Sequence, residues 1–215
     1  SPAEKATVYR AVAEAVDAIY PEQDSLAGQQ SARWHEAGDA LHELKASERH
    51  SYYTLHVLGD VNRSRAILTD GLATAETIPD PVSRQRARLG LLTMLADLHD
   101  WQGHYPEAAD ALREALSLAE ALEDTSAQAE CLGELATYYW RMGEFEQTRL
   151  YAERAITIAR ATNSLKWEMR AVNALSAAEY YQGDLERALG YIQQVMALAL
   201  QANDQRSEAV YKNNY

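Results

Sequence analysis

Cysteine is nearly missing from this chain: Cys131 is the only one among 215 residues. That excludes an internal disulfide framework and fits a reducing, cytoplasmic setting. Proline is scarce, at 5, and the 10 glycines stand singly apart from one another. Scattered glycines cannot build a loop that cradles phosphate, and no Walker-type motif is present. No apolar run approaches the roughly 20 residues that a membrane-spanning helix needs. Residues 1–20 alternate charged with apolar positions, unlike the apolar stretch of a secretory leader. Positive charge is in deficit: 20 Lys and Arg stand against 32 Asp and Glu, a formal net charge of −12. Such a surface repels phosphate backbones, so direct nucleic-acid binding is not expected. The chain begins Ser-Pro without Met and ends Tyr-Lys-Asn-Asn-Tyr, which reads as a fragment of a larger protein.

What is abundant is Ala, Leu, Glu, Gln and Arg, the residues of an all-helical chain. Residues 126–161 give the pattern most clearly, as two amphipathic helices joined at Gly143. In the second, Phe145, Thr148, Ala152, Ala155 and Ala159 recur at steps of three and four, which places them on one face. Leu132, Leu135, Tyr139 and Met142 do the same in the first. Small side chains on such a face let helix axes approach closely.

The pattern repeats. Gly103, Gly143 and Gly183 fall at a constant spacing of 40 residues. Tyr105, Ala108, Leu112, Ala115 and Ala119 follow the first, and Leu185, Ala188, Ile192, Val195 and Ala199 follow the last. A degraded copy, Val61, Ser64, Leu68, Gly71 and Ala75, follows Gly59. A repeated helical pair leaves an apolar face for the next pair to cover, so the units stack into a solenoid. The expected elements lie near 3–20, 25–37, 40–58, 60–77, 81–102, 105–122, 125–142, 144–161, 164–182 and 184–202. Val8, Val12 or Ala11, Ala15 and Ile19 form the expected inner face of the first of them. Asp80 followed by Pro81 makes a cap and first-turn pair.

Glycine between the helices, a large residue two positions on, and Ala at five and twelve positions on resemble the tetratricopeptide repeat. Gly103-His104-Tyr105-Pro106-Glu107-Ala108, with Leu112 and Ala115, carries this most completely. The period exceeds that family's usual 34 residues, so the longer-helix variety is the better match; HEAT and armadillo repeats lack this signature. The resemblance implies an all-α, right-handed superhelical solenoid of about ten to eleven helices in antiparallel pairs. Residues 1–79 would be degenerate repeats, and 80–203 would hold three regular ones, at 80–122, 124–162 and 164–202. Residues 204–215 would be an incomplete repeat or frayed helix, all in one continuous solenoid. Val12 to Tyr20 and Ala32-Arg33-Trp34-His35-Glu36-Ala37-Gly38-Asp39 further resemble the helical arm of bacterial signal-transduction ATPases with numerous domains. In that class the arm is a sensor and autoinhibitory element.

Candidate chemistry is thin. His35-Glu36 and His42-Glu43 lack the spacing that brings two imidazoles to one zinc. His99 and His104 flank Asp100 at a helix end and read as a capping cluster. Cys131 reads as a small buried hydrophobe, and Glu120, Glu123 and Asp124 as a solvated helix end. No catalytic motif, metal site or cofactor is expected.

Binding remains. The resemblance places groove-facing positions 13, 10, 6, 3 and 2 residues before each turn glycine. On this chain these are Gly90, Thr93, Asp97, Asp100 and Trp101; Glu130, Gly133, Thr137, Trp140 and Arg141; and Arg170, Asn173, Ala177, Tyr180 and Tyr181. Aromatics and Arg anchor interfaces, and Asn can hold a peptide backbone by donor and acceptor together. The competing reading has each aromatic wedged between repeats, and Arg141 or Arg170 paired with Glu130, Glu134 or Asp100. Two functions follow: a non-catalytic sensor that binds a protein, a peptide or a small effector on its concave face within a larger bacterial signalling or transcription-regulating protein, whose other domains are candidate partners, or a self-assembly scaffold forming homodimers.

Overall fold

The computed structural model describes residues 1–21 and 23–202. Among the described residues there are ten α-helices, one short 3-10 turn and no strand. The chain divides into two compact units, 1–102 and 103–215. The division falls at a turn glycine, Gly103, inside the stretch read from sequence as the 80–122 repeat. The element expected at 204–215 lies outside the described residues.

The first unit holds α1 (Pro2–Ile19), the 3-10 turn Asp24–Leu26, α2 (Ala27–Glu36), α3 (Ala40–His56), α4 (Val61–Ala75) and α5 (Pro81–Trp101). Consecutive helices pack on one another, and α5 also packs on α3. Helix starts are set locally. Ser1 and Glu4 make a reciprocal capping box. Asp39, Asp60 and Asp80 each accept a hydrogen bond from the third backbone N–H of the helix they open, and Pro81 follows Asp80 as expected. Leu44, Leu55, Leu68, Ala75, Ile78, Leu91 and Leu98 form the core.

The inner face of α1 differs from expectation. Val8, Val12, its alternative Ala11, Ala15 and Ile19 are all exposed, and Ala13 is the buried residue. The cause is the partner helix. Trp34 and Gln30 are buried against α1, and both carry donors that need acceptors. Asp17 accepts from Trp34 Nε1 at 3.1 Å and from Gln30 Nε2 at 2.7 Å, while the Ala13 carbonyl accepts from Gln30 at 3.0 Å. Satisfying those buried donors outweighs covering that aliphatic face.

The second unit holds α6 (Tyr105–Ala121), α7 (Thr125–Arg141), α8 (Phe145–Ala161), α9 (Leu165–Gln182) and α10 (Leu185–Gln201). Each packs on its neighbours in sequence, and α9 packs on α7 as well. The expected small-residue face of α8 is sealed: Thr148, Ala152, Ala155 and Ala159 are fully buried. Ala108, Leu112, Ala115 and Ala119 on α6, and Ala188, Val195 and Ala199 on α10, are buried in the same register. Leu185 is not; it stands exposed at the start of α10.

Within this unit Gly143 and Gly183 turn the chain with φ of 79° and 86°. The complementary turns use Glu123 and Asn163 at φ of 52° and 53°, a left-handed conformation that Asn tolerates and Glu resists. One charge is deeply buried. Glu179 on α9 is 1% exposed and accepts from Arg149 Nε at 3.2 Å, with Arg187 Nη1 at 3.4 Å.

Candidate functional site

In the second unit α7 and α9 lie side by side, and the sequence-predicted residues sort along them. Nearest the helix starts, Glu130 is half-buried, and desolvation raises its carboxyl above the ordinary range, against the opposing pull of Lys166. Glu134 on α7 pairs with Arg170 on α9, one of the pairings weighed from sequence. Gly133 is buried beside that pair; a Cβ there would meet Trp167 at 3.5 Å and the Arg170 stem at 3.7 Å. Thr137 is buried and donates its hydroxyl to the Gly133 carbonyl at 3.0 Å, so it supports α7 and presents nothing to a ligand. Asn173, one turn beyond Arg170, is half-buried and makes no side-chain hydrogen bond among the described residues.

At the helix ends the aromatics come together. Trp140 stacks on Tyr181, with ring centroids 5.9 Å apart and planes 19° from parallel. Tyr180 meets Tyr181 edge-on at 5.6 Å. The Arg141 guanidinium lies over the Trp140 ring at 5.9 Å and over the Tyr105 ring at 5.2 Å, geometry in which a cation is held by the ring face. Tyr180 and Tyr181 remain 60% and 65% exposed. The stack therefore joins adjacent helical pairs and still offers open aromatic surface.

The other predicted positions on α5 belong to the first unit; among them Thr93 donates its hydroxyl to the Leu89 carbonyl of its own helix at 2.9 Å. Asp97 on α5 lies 2.6 Å from His56 Nε2 on α3. Trp101 stands edge-on to the His56 ring at 5.3 Å and is exposed, and Asp100 is half-buried. His56 also meets Tyr52 at 4.5 Å. The sequence reading missed His56, although it lies three residues before Gly59, as Asp100, Trp140 and Tyr180 lie before their glycines.

The residues considered for other chemistry are structural. Cys131 is buried, and its thiol is pushed up to about 12 by burial, so it carries negligible thiolate. Glu120 pairs with Arg154 at 2.8 Å, and Asp124 caps α7. His104 stands at the start of α6 without a side-chain capping bond, contrary to the capping role expected of it. Among the described residues no cluster of His, Cys, Asp or Glu could hold a metal ion, and no helix is long and apolar enough to cross a membrane.

Residues 86–161 match the family model of the tetratricopeptide repeat. No curated protein sequence matches the chain. Among solved structures, the chain is similar to a signal-transduction ATPase with numerous domains, bearing a tetratricopeptide repeat sensor, from Pyrococcus horikoshii. The TM-score is 0.74 at 17% identity, over 90% of this chain and 30% of that one. It is similar to aspartyl phosphate phosphatase F from Bacillus subtilis, with a TM-score of 0.73 at 15% identity, over 87% of this chain and 48% of that one. A Rap protein complexed with competence and sporulation factor gives a TM-score of 0.61 at 14% identity, over 100% of this chain and 63% of that one. The chain thus spans less than two thirds of each of these proteins. The shared feature is the tetratricopeptide-repeat fold.

Proposed function

We propose that this array of tetratricopeptide-type helical pairs is a non-catalytic module that grips an extended segment of a protein or peptide along α7 and α9. The observation that carries the reading is Asn173. Its amide is half-buried and has no side-chain partner among the described residues, one turn from the Glu134–Arg170 pair and two turns short of Tyr181. An amide so placed has a donor and an acceptor to offer a peptide bond. The Trp140–Tyr181 stack offers a flat apolar anchor farther along, and Arg141 a cation beside it. Similarity to a protein with a tetratricopeptide repeat sensor and to a protein complexed with competence and sporulation factor supports the same reading. We further propose that the module works within a longer signalling protein in the cytoplasm, where its partner includes that protein's other domains.

The test begins with a displayed peptide library selected on the wild-type chain. The strongest selected peptide is then titrated into Trp140→Ala plus Asn173→Ala. Binding is expected to disappear while the far-ultraviolet circular dichroism stays within a few per cent of wild type. Undiminished binding by the double variant refutes the assignment. Parallel loss of helicity and binding shows instead that the two residues are packing.

A second reading, self-association, has its own support. Leu185, Leu189 and Leu200 are exposed on α10, and Val8, Val12 and Ile19 on α1. Sedimentation velocity decides it: a single monomer boundary at all accessible concentrations removes this reading.

A further inference from the structure

The inner register of α3 departs from that of its counterparts. Eleven residues before the turn glycine, α5, α7 and α9 carry Leu92, Leu132 and Val172, all buried. The same place before Gly59 holds Glu48. A carboxyl group in an aliphatic register is costly unless partnered. Among the described residues Glu48 makes no hydrogen bond or ion pair, and burial pushes its carboxyl up to about 7 against the pull of Lys45. Space for it comes from α5. A Cβ at Gly90 would stand 2.5 Å from Glu48 Oε1, so only glycine lets the carboxylate lie there.

Glu48 opens on a cavity of about 360 Å³ between α3 and α5, whose lining mixes the apolar Leu41, Leu44 and Ala87 with the cationic Lys45 and Arg86. Neither cation has a hydrogen bond or an ion pair within 4 Å among the described residues. His42 and Ser83, also at the rim, are engaged: His42 stacks on Trp34 at 4.4 Å, and both bond to carboxylates, of Asp39 and Asp80.

We propose that this cavity binds a small zwitterion of the α-amino-acid class with an apolar side chain. The ammonium sits on Glu48, the carboxylate on Lys45 and Arg86, and the side chain against Leu41, Leu44 and Ala87. The mixture of charges selects this class. A lone amine would meet two unpaired cations, and a lone carboxylate would meet Glu48. Each is matched only by a ligand carrying both signs at one end and an aliphatic group at the other. The inference is independent of the peptide strip on α7 and α9.

Binding has a proton signature. The charged groups lining the space around Glu48 are His42, Lys45 and Arg49 of α3, Arg86 of α5 and Asp17 of α1. An ammonium seated on Glu48 favours its ionised form, so the carboxyl releases its proton to the buffer on binding. Affinity therefore rises from about pH 5 to about pH 8.

The experiment titrates L-leucine, L-isoleucine and L-methionine into the full chain by calorimetry and ligand-observed NMR. The amine-free 4-methylpentanoate and the carboxylate-free 3-methylbutylamine serve as truncated probes. At least one amino acid is expected to bind saturably, and both truncated probes about tenfold or more weaker. Glu48→Gln and Gly90→Ala are each expected to weaken amino-acid binding by about tenfold or more, with melting temperatures at or above that of wild type. The proposal is overturned if none of the three amino acids binds, if 4-methylpentanoate binds equally well, if affinity falls with rising pH, or if both variants bind as wild type does.

Discussion

The Glu48 carboxylate lies on the bare Cα of Gly90: one of its oxygens stands 2.5 Å from where that residue's Cβ would be. Position 90 thereby controls a side chain on another helix without touching it through a side chain of its own. Gly90→Ala is expected to turn the flexible carboxylate out to solvent. Removing a mid-helix glycine favours the helix by about 0.5–1 kcal/mol, so stability should hold or rise. The carboxyl should return toward the ordinary range near 4.5, read by ¹³C-detected titration. A fall of more than about 1 kcal/mol in urea denaturation would mean that Glu48 cannot move.

The Glu48→Gln variant tests the same group through pH. The folded protein holds the Glu48 proton up to about 7, above the ordinary 4.5. The native state therefore binds that proton more tightly than the unfolded chain does. Its contribution is fully present below about 4.5 and is lost as pH rises through about 7. The variant and wild type should match near pH 4, and the variant should be the more stable near pH 8 by roughly 2 kcal/mol, part of the carboxyl still touching water. Parallel stability curves across that range would contradict this.

The turns make a paired prediction. Gly143 has φ of 79° with no atom within 4 Å of a Cβ built there, so any cost of Gly143→Ala comes from the backbone alone. About 1–2 kcal/mol of destabilisation is expected. Glu123 holds the opposite kind of turn at φ of 52° with a side chain the conformation resists. Glu123→Gly should be neutral to stabilising by about 1 kcal/mol. Chemical denaturation of both variants checks the sign of each.

Glu179 depends on its cations. Arg149→Ala removes the guanidinium nearest to a carboxylate that is 1% exposed. It leaves Arg187 at 3.4 Å as a weaker partner. The expected loss is about 2–3 kcal/mol, because an uncompensated buried charge is the cost. Glu179→Gln in the Arg149→Ala background should recover part of it, measured as a coupling energy in a double-mutant cycle.

Element positions were legible in the sequence because their signals are local. Gly103, Gly143 and Gly183 mark chain reversals by a backbone requirement, and Asp80-Pro81 marks a helix start by capping chemistry. The small face of α8 was legible because Ala at helical spacing has little other use. What failed was long-range. Val8, Val12 and Ile19 have the right periodicity for a buried face, yet Trp34 and Gln30 demand an acceptor, and Asp17 turns α1 to supply it. Trp140 and Tyr181 were placed near one another by repeat register, but Thr137, from the same register, is buried and engaged with its own helix. Glu48 was overlooked for a different reason. A glutamate on an amphipathic helix reads as solvent-facing, and only alignment of α3 with the later helices reveals the aliphatic position it occupies.

In the second unit each described helix leans on those just before and after it, and α9 reaches back to α7 as well. Order of this kind is written in neighbouring clauses. A tear at α10 need not propagate to α6, and amide exchange along the unit should grade from fast at that edge to slow around α8. A bound segment lying across α7 and α9 would act as a splint, joining pieces that otherwise open one at a time.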